Sequence, residues 1–195
     1  MNYLACVEGE FEEAEKHGAI AIKMEPLSAI CYANYAMILN TAGKYKAALA
    51  AAKTGIEPDA NSFLCHVIAG RTQMALKHYR EAIASFEAAM KLTNRHHFTV
   101  NALIWTYCII MYFDNARDLM NELKERSTSE YIAKTFTGLS AAYLNDMEEA
   151  FGFPEQAFID RDPILSMLKY DQGVPPSLRK DRRFKKLLER IGFPD

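Results

Sequence analysis

Residues 79–92, YREAIASFEAAMKL, decide the fold. Tyr79, Ala82, Ile83, Phe86, Ala89 and Met90 recur at i, i+3, i+4 and i+7, the spacing of one face of an α-helix. The same opening, a large apolar residue three positions before an alanine, stands at Phe11/Ala14, Tyr45/Ala48, Phe113/Ala116 and Met147/Ala150, each pair 34 residues from the next in the series. Seven residues after each alanine come Ala21, Gly55, Ala89, Leu123 and Ala157, small in all but one case. A fixed period of this length is the mark of a repeat architecture. Between the columns a second helical pattern runs through Tyr32, Tyr35, Ala36 and Leu39. Gly43 separates one pair of helices, and Glu25-Pro26 and Glu57-Pro58 each end a second helix, because proline disfavours helix at the residue before it. Small residues are needed where helices approach closely, since a larger side chain overpacks by about 1–3 kcal/mol.

This spacing predicts helix pairs near 28–56, 62–92, 97–126 and 130–160, preceded by one partial unit. The helix–turn–helix period, with aromatic-x-x-Ala opening its second helix, resembles the tetratricopeptide repeat. That resemblance implies an all-α, right-handed superhelical solenoid of antiparallel helix pairs over residues 1–160. At the early position where the family prefers glycine stand Ala36, Gly70, Ile104 and Gly138, so the fourth repeat is atypical. Gly152 and Pro154 fall inside the last second helix, and an interior proline costs about 3 kcal/mol, which predicts a kink or break there. Met1 falls inside what should be a first helix, so either the N-terminus is frayed and covered by a neighbouring chain or, the favoured expectation, the chain is the C-terminal part of a larger protein.

After residue 160 the period is lost. Asp162 is placed to cap a helix that Pro163 begins. Phe184, Leu187, Leu188 and Ile191 form one apolar stripe, so residues 161–195 read as capping helices packed on the last repeat. The order Arg161-Asp162-Pro163, Leu168-Lys169, Leu178-Arg179, Asp181-x-Arg183-Phe184, Leu187-Leu188, Arg190 and Gly192-Phe-Pro194 resembles a bacterial C-terminal module. In that family the repeats follow an adenylate/guanylate cyclase, a serine/threonine kinase or a winged-helix regulatory domain. The resemblance implies a regulatory or scaffolding part of a signalling protein.

The 195 residues carry 23 Lys/Arg and 25 Asp/Glu, a net charge of -2, which gives no global case for nucleic acid or membrane binding. The longest apolar run, residues 102–113, is shorter than the roughly 18 residues a membrane helix needs. With no signal peptide pattern, the expected compartment is the cytoplasm. Glu8, Glu10, Glu12, Glu13 and Glu15 cluster at the first helix start, where carboxylates complement the helix dipole. Between Ser177 and Arg190 seven Lys/Arg face two acids; a solvated outer face accounts for them, and nucleic-acid contact is the less favoured alternative.

No phosphate loop, nucleophile elbow or metalloprotease motif is present, and no enzymatic role or cofactor is expected. Cys6, Cys31, Cys65 and Cys108 form no C-x-x-C pair and read as free thiols. His96 and His97 are adjacent, so their rings should point apart, and no metal site is expected.

In the repeat family the first helix of each unit lines a concave groove. Carried onto this chain, the groove is Met37 and Asn40; Leu64, Val67, Arg71 and Met74; Phe98, Asn101, Trp105 and Cys108; and Leu139 and Tyr143. Residues 97–112 are apolar nearly all round and must be covered on every side. Two readings stand: the groove is filled by the chain's own tail or a twin subunit, or it takes a partner peptide with Trp105 as anchor. The Lys-and-Asn clamp that some members use for a C-terminal carboxylate is absent, since Ala33, Met37, Val67 and Arg71 hold those positions. The expected function is a non-catalytic protein–protein interaction module whose partner is a protein or peptide, or an upstream domain. A free-standing adaptor or homo-oligomeric scaffold, for example a homodimer, is the alternative.

Overall fold

The computed structural model describes residues 10–171 and 173–192. Among these the regular structure is helical. An opening helix α1 (Phe11–Met24) precedes four antiparallel pairs: α2 (Ala29–Thr41) with α3 (Tyr45–Ile56), α4 (Phe63–Ala75) with α5 (Tyr79–Leu92), α6 (His97–Ile109) with α7 (Phe113–Arg126), and α8 (Lys134–Tyr143) with α9 (Met147–Ile159). A 3-10 turn (Pro163–Met167) and two further helices, α10 (Pro176–Lys180) and α11 (Arg182–Ile191), follow. The partial unit expected at the start is thus represented by its second helix, α1; its first helix, with Cys6 and Glu8, lies outside the described residues. The chain divides into two compact units, residues 1–99 and 100–195, with the boundary in the first turn of α6.

The alanine column explains why the pairs pack. Ala14, Ala48, Ala82, Ala116 and Ala150 are all completely buried, as are Ala89, Leu123 and Ala157 one column on. In the N-terminal unit Ala36, Leu39, Ala48, Ala51, Ala52, Ile68 and Ala69 form one core, with Tyr32, Tyr35, Met37 and Leu49 against its edge. Gly70 is required by close approach: a Cβ there would lie 2.5 Å from the ring of Phe86, itself fully buried.

The turn inside each repeat is a second periodic device. Gly43, Lys77, Met111 and Asn145 all have φ between 63° and 76°. At each, the next amide donates back to the carbonyl five residues earlier: Lys44 to Leu39, His78 to Gln73, Tyr112 to Tyr107 and Asp146 to Ala141, at 2.8–2.9 Å. This is the Schellman arrangement, which satisfies the last carbonyls of the first helix and reverses the chain.

The break expected at Gly152–Pro154 does not occur; α9 runs as one helix from Met147 to Ile159. A proline removes a single backbone donor, and Ala150 and Ala157, both fully buried on either side of it, hold the helix against its neighbours. Asp162 does cap the turn that Pro163 begins, accepting from the Ile164 amide at 3.0 Å. Its other oxygen reaches further, accepting from the backbone amide and hydroxyl of Thr135 at 3.1 and 2.8 Å. One buried carboxylate therefore ties the start of α8 to the start of the tail. Leu168, Leu178, Phe184 and Leu187 then converge with Gly138, Leu139, Ala150 and Phe151.

Candidate functional site

The first helices carry the predicted groove, and each unit treats them differently. In the N-terminal unit the second residue of a first helix is Ile30 in α2, Leu64 in α4 and Phe98 at the start of α6. Ile30 is 58% exposed and Leu64 41%, while Phe98 is half-buried with the Arg71 guanidinium 5.6 Å above its ring. The helices α2 and α4 pack directly on one another, so these residues recur as a row. Ile20, Met24 and Leu27, at 52%, 77% and 81% exposure, add apolar surface around the preceding turn. Glu25, Glu57 and Asp59 stand exposed in the turns that lead into α2 and α4.

The remaining groove positions of this unit lie deeper. Val67 is buried, and Asn40 is spent on an internal bond, its side-chain amide donating to the Thr72 hydroxyl at 2.8 Å. Met37 packs against the core edge, and Met74 is half-buried. Ile30 was absent from the predicted groove although it holds the same place as Leu64; its helix position was the signal that marks it.

In the C-terminal unit every residue from Val100 to Thr106 is buried. Trp105 is 1% exposed and its indole Nε1 donates to Ser140 Oγ at 2.8 Å. Ser140 Oγ in turn donates to Asn101 Oδ1 at 2.5 Å. Tyr143 stacks on the indole at 5.9 Å and Phe136 tilts against it at 5.7 Å. Leu139 is buried beside them, and burial pushes the Cys108 thiol up to about 11, with the charge of Arg117 acting in the opposite direction. The face that remains is closed by the tail. A Cβ at Gly173 would lie 2.7 Å from indole Cζ3. Six of the twelve predicted groove residues (Asn40, Val67, Asn101, Trp105, Cys108 and Leu139) therefore sit in the interior, five are half-buried and Leu64 is exposed.

The histidines differ from expectation. The rings of His96 and His97 do not diverge but stack at 4.4 Å, and His96 meets Phe63 edge-on at 5.5 Å. Asn94 and Arg95 are both left-handed, so the chain enters α6 through a turn that brings the two side chains together. Among the described residues no three His, Cys, Asp or Glu side chains gather as a metal site. Cys31, Cys65 and Cys108 are free thiols. Nor is any described helix long and apolar enough to cross a membrane. On α11 Arg183 pairs with Glu148 at 3.0 Å and lies over Phe151 at 4.1 Å, and Arg190 lies over Phe158 at 5.0 Å.

Comparison with known proteins agrees on the architecture. Residues 8–89 match the model of the family "Anaphase-promoting complex, cyclosome, subunit 3". No curated protein sequence matches the chain. A thermophilic tetratricopeptide protein of Thermus thermophilus superposes with a TM-score of 0.68 at 14% identity, over 88% of this chain and 94% of that one. The Cut9–Hcn1 hetero-tetramer of the APC/C gives 0.61 at 14% identity, over 95% of this chain. The Naa15/Naa10 complex bound to HypK gives 0.55 at 19% identity, over 97% of this chain. The chain spans 31% of the length of the Naa15/Naa10 chain it matches and 40% of the Cut9–Hcn1 chain. The chain therefore has the all-α fold of tetratricopeptide repeat proteins.

Proposed function

We propose that the protein is a non-catalytic protein–protein interaction module that takes an extended peptide segment along its N-terminal unit. The observation that carries this reading is the row Ile30–Leu64, apolar and exposed at the same place in successive repeats. Packed helices lie about 8–10 Å apart, and a peptide in the extended polyproline II form advances about 3.1 Å per residue with three residues per turn, so every third side chain faces the same way. A peptide with apolar side chains at every third position matches that row. The acidic turns at Glu25, Glu57 and Asp59 favour one that also carries lysine or arginine. The neighbours whose structures include partners, Naa15/Naa10 with HypK and Cut9 with Hcn1, accord with such a role.

The order of tail motifs supports a finer assignment, to the regulatory or scaffolding part of a bacterial signalling protein. Nucleic-acid contact through α11 is the weaker reading, because Arg183 and Arg190 are engaged with Glu148, Phe151 and Phe158. The test is selection of random peptides on the immobilised protein, followed by affinity measurement on variants. Wild type should enrich apolar-basic sequences, and Leu64→Asp should weaken them at least about tenfold, or about 1.4 kcal/mol, with helix content unchanged. No enrichment, or affinities indifferent to Leu64→Asp and Ile30→Asp, would dispose of the proposal.

A further inference from the structure

The groove around Trp105 already holds a segment of chain. Asp171, Gly173, Val174 and Pro175 are all buried, although they belong to a stretch with no regular structure. Gly173 lies flat on the indole, and its amide donates to Asp171 Oδ1 at 2.6 Å. The Val174 amide returns to the Asp171 carbonyl at 3.2 Å, so the segment is a tight turn that presents its smallest residue to the ring. Arg179 secures it from outside, its guanidinium donating to the carbonyls of Asp171 at 2.6 Å and Lys169 at 3.2 Å. The receiving side is built with equal care. Ser140 fixes the indole edge and Tyr143 fixes its plane, so the ring has little freedom to move away from a larger side chain at position 173.

We infer that Asp171, Gly173 and Val174 act as a built-in ligand, and that the Trp105 groove is a second peptide site that recognises a glycine closed over by an aspartate two residues earlier. In the resting chain the site is filled in cis. A partner segment with the same chemistry, a carboxylate that closes a turn over a glycine, takes the site in competition with the tail. The inference rests on reading the chain as an interaction module, but its site is separate from the Ile30–Leu64 row.

The experiment uses the full chain and a dye-labelled synthetic peptide of residues 168–178, LKYDQGVPPSL. Trp105 is the only tryptophan, so acrylamide quenching of intrinsic fluorescence reports on this groove alone. Wild type should be weakly quenched and should bind the peptide at least about tenfold more weakly than the variant below, because the tail competes for the site. Gly173→Val drives a side chain into the indole, so quenching should rise several-fold. The peptide should then bind saturably and restore protection, while the same peptide with valine in place of its glycine should not. Should Gly173→Val lose helical circular dichroism, Arg179→Ala, which only releases the outer clamp, is judged by the same two readings. Unchanged quenching in the folded variant overturns the inference. An exposed indole that takes no peptide also overturns it, because the tail is then a structural cap alone. Either failure leaves peptide capture by the Ile30–Leu64 row standing, since that is read through Leu64→Asp.

Discussion

The two units use one repeat geometry and finish it differently. In residues 10–99 the apolar second residues of the first helices, Ile30 and Leu64, stay open. In residues 100–192 Trp105, on the first helix of its own repeat, is enclosed by Ser140, Tyr143 and Gly173. Met37 and Arg71, which hold the place of Trp105 in the two preceding repeats, are half-buried, whereas α8 and Gly173 of the tail together enclose the indole. The open row is the surface on which the proposed peptide interaction rests. Apolar surface already covered contributes stability at once, at about 25 cal/mol per Å² removed from water.

The sharpest way to break this contrast is a pair of truncations. Trp105→Ala should destabilise the protein by about 3–5 kcal/mol, the usual cost of emptying a buried aromatic site. Leu64→Ala should change stability by no more than about 0.5 kcal/mol. Urea unfolding of both variants checks this; equal effects would mean that the two positions are not surface and core.

Asp162→Ala comes next. It removes the acceptor for Thr135 and for Ile164 together, leaving buried donors unmade. A loss of about 2 kcal/mol is expected, and hydrogen exchange should show it as faster amides at the start of α8 and the tail. Exchange that speeds in α2–α5 instead would contradict the assignment of this carboxylate to the C-terminal unit.

A smaller effect, of opposite sign, is expected at a turn. Met111 is left-handed and 74% exposed, so its side chain gains little while its backbone is strained. Met111→Gly should stabilise by about 1 kcal/mol, whereas Gly43→Ala in the corresponding turn should destabilise by a similar amount. Thermal unfolding of the two variants reads both signs.

The least effect concerns Cys108. Burial raises its thiol from 9.0 to about 11, so the folded protein keeps a proton that the unfolded chain releases. The contribution is full below about pH 9 and is lost as pH rises towards about 11. Stability should therefore decline across that window, and Cys108→Ala should flatten the decline. The buried Cys65 thiol is also raised by burial and adds in the same direction.

Much of the fold can be read from the chain because repeat packing writes itself into single columns. Every alanine of the column from Ala14 to Ala150 is buried, since neighbouring helices leave no room for more. The turns are less legible. Gly43 announces a left-handed residue, but Lys77, Met111 and Asn145 adopt the same conformation because the Schellman hydrogen bonds hold it. Pro154 misleads in the other direction, as flanking burial carries the helix through it. Helical register puts Ile30, Leu64 and Phe98 at the same place, second in their helices. The cover on Trp105 left no local trace. Gly173 is one glycine in an irregular stretch, and only the folded chain brings it to the indole.

The most direct test of the account is hydroxyl-radical footprinting of the wild-type protein, which labels both faces in one sample. Leu64 and Ile30 should label strongly, and Trp105 should be protected despite the higher intrinsic reactivity of an indole. Trp105 labelled as readily as Leu64 would show that the tail does not close the C-terminal groove.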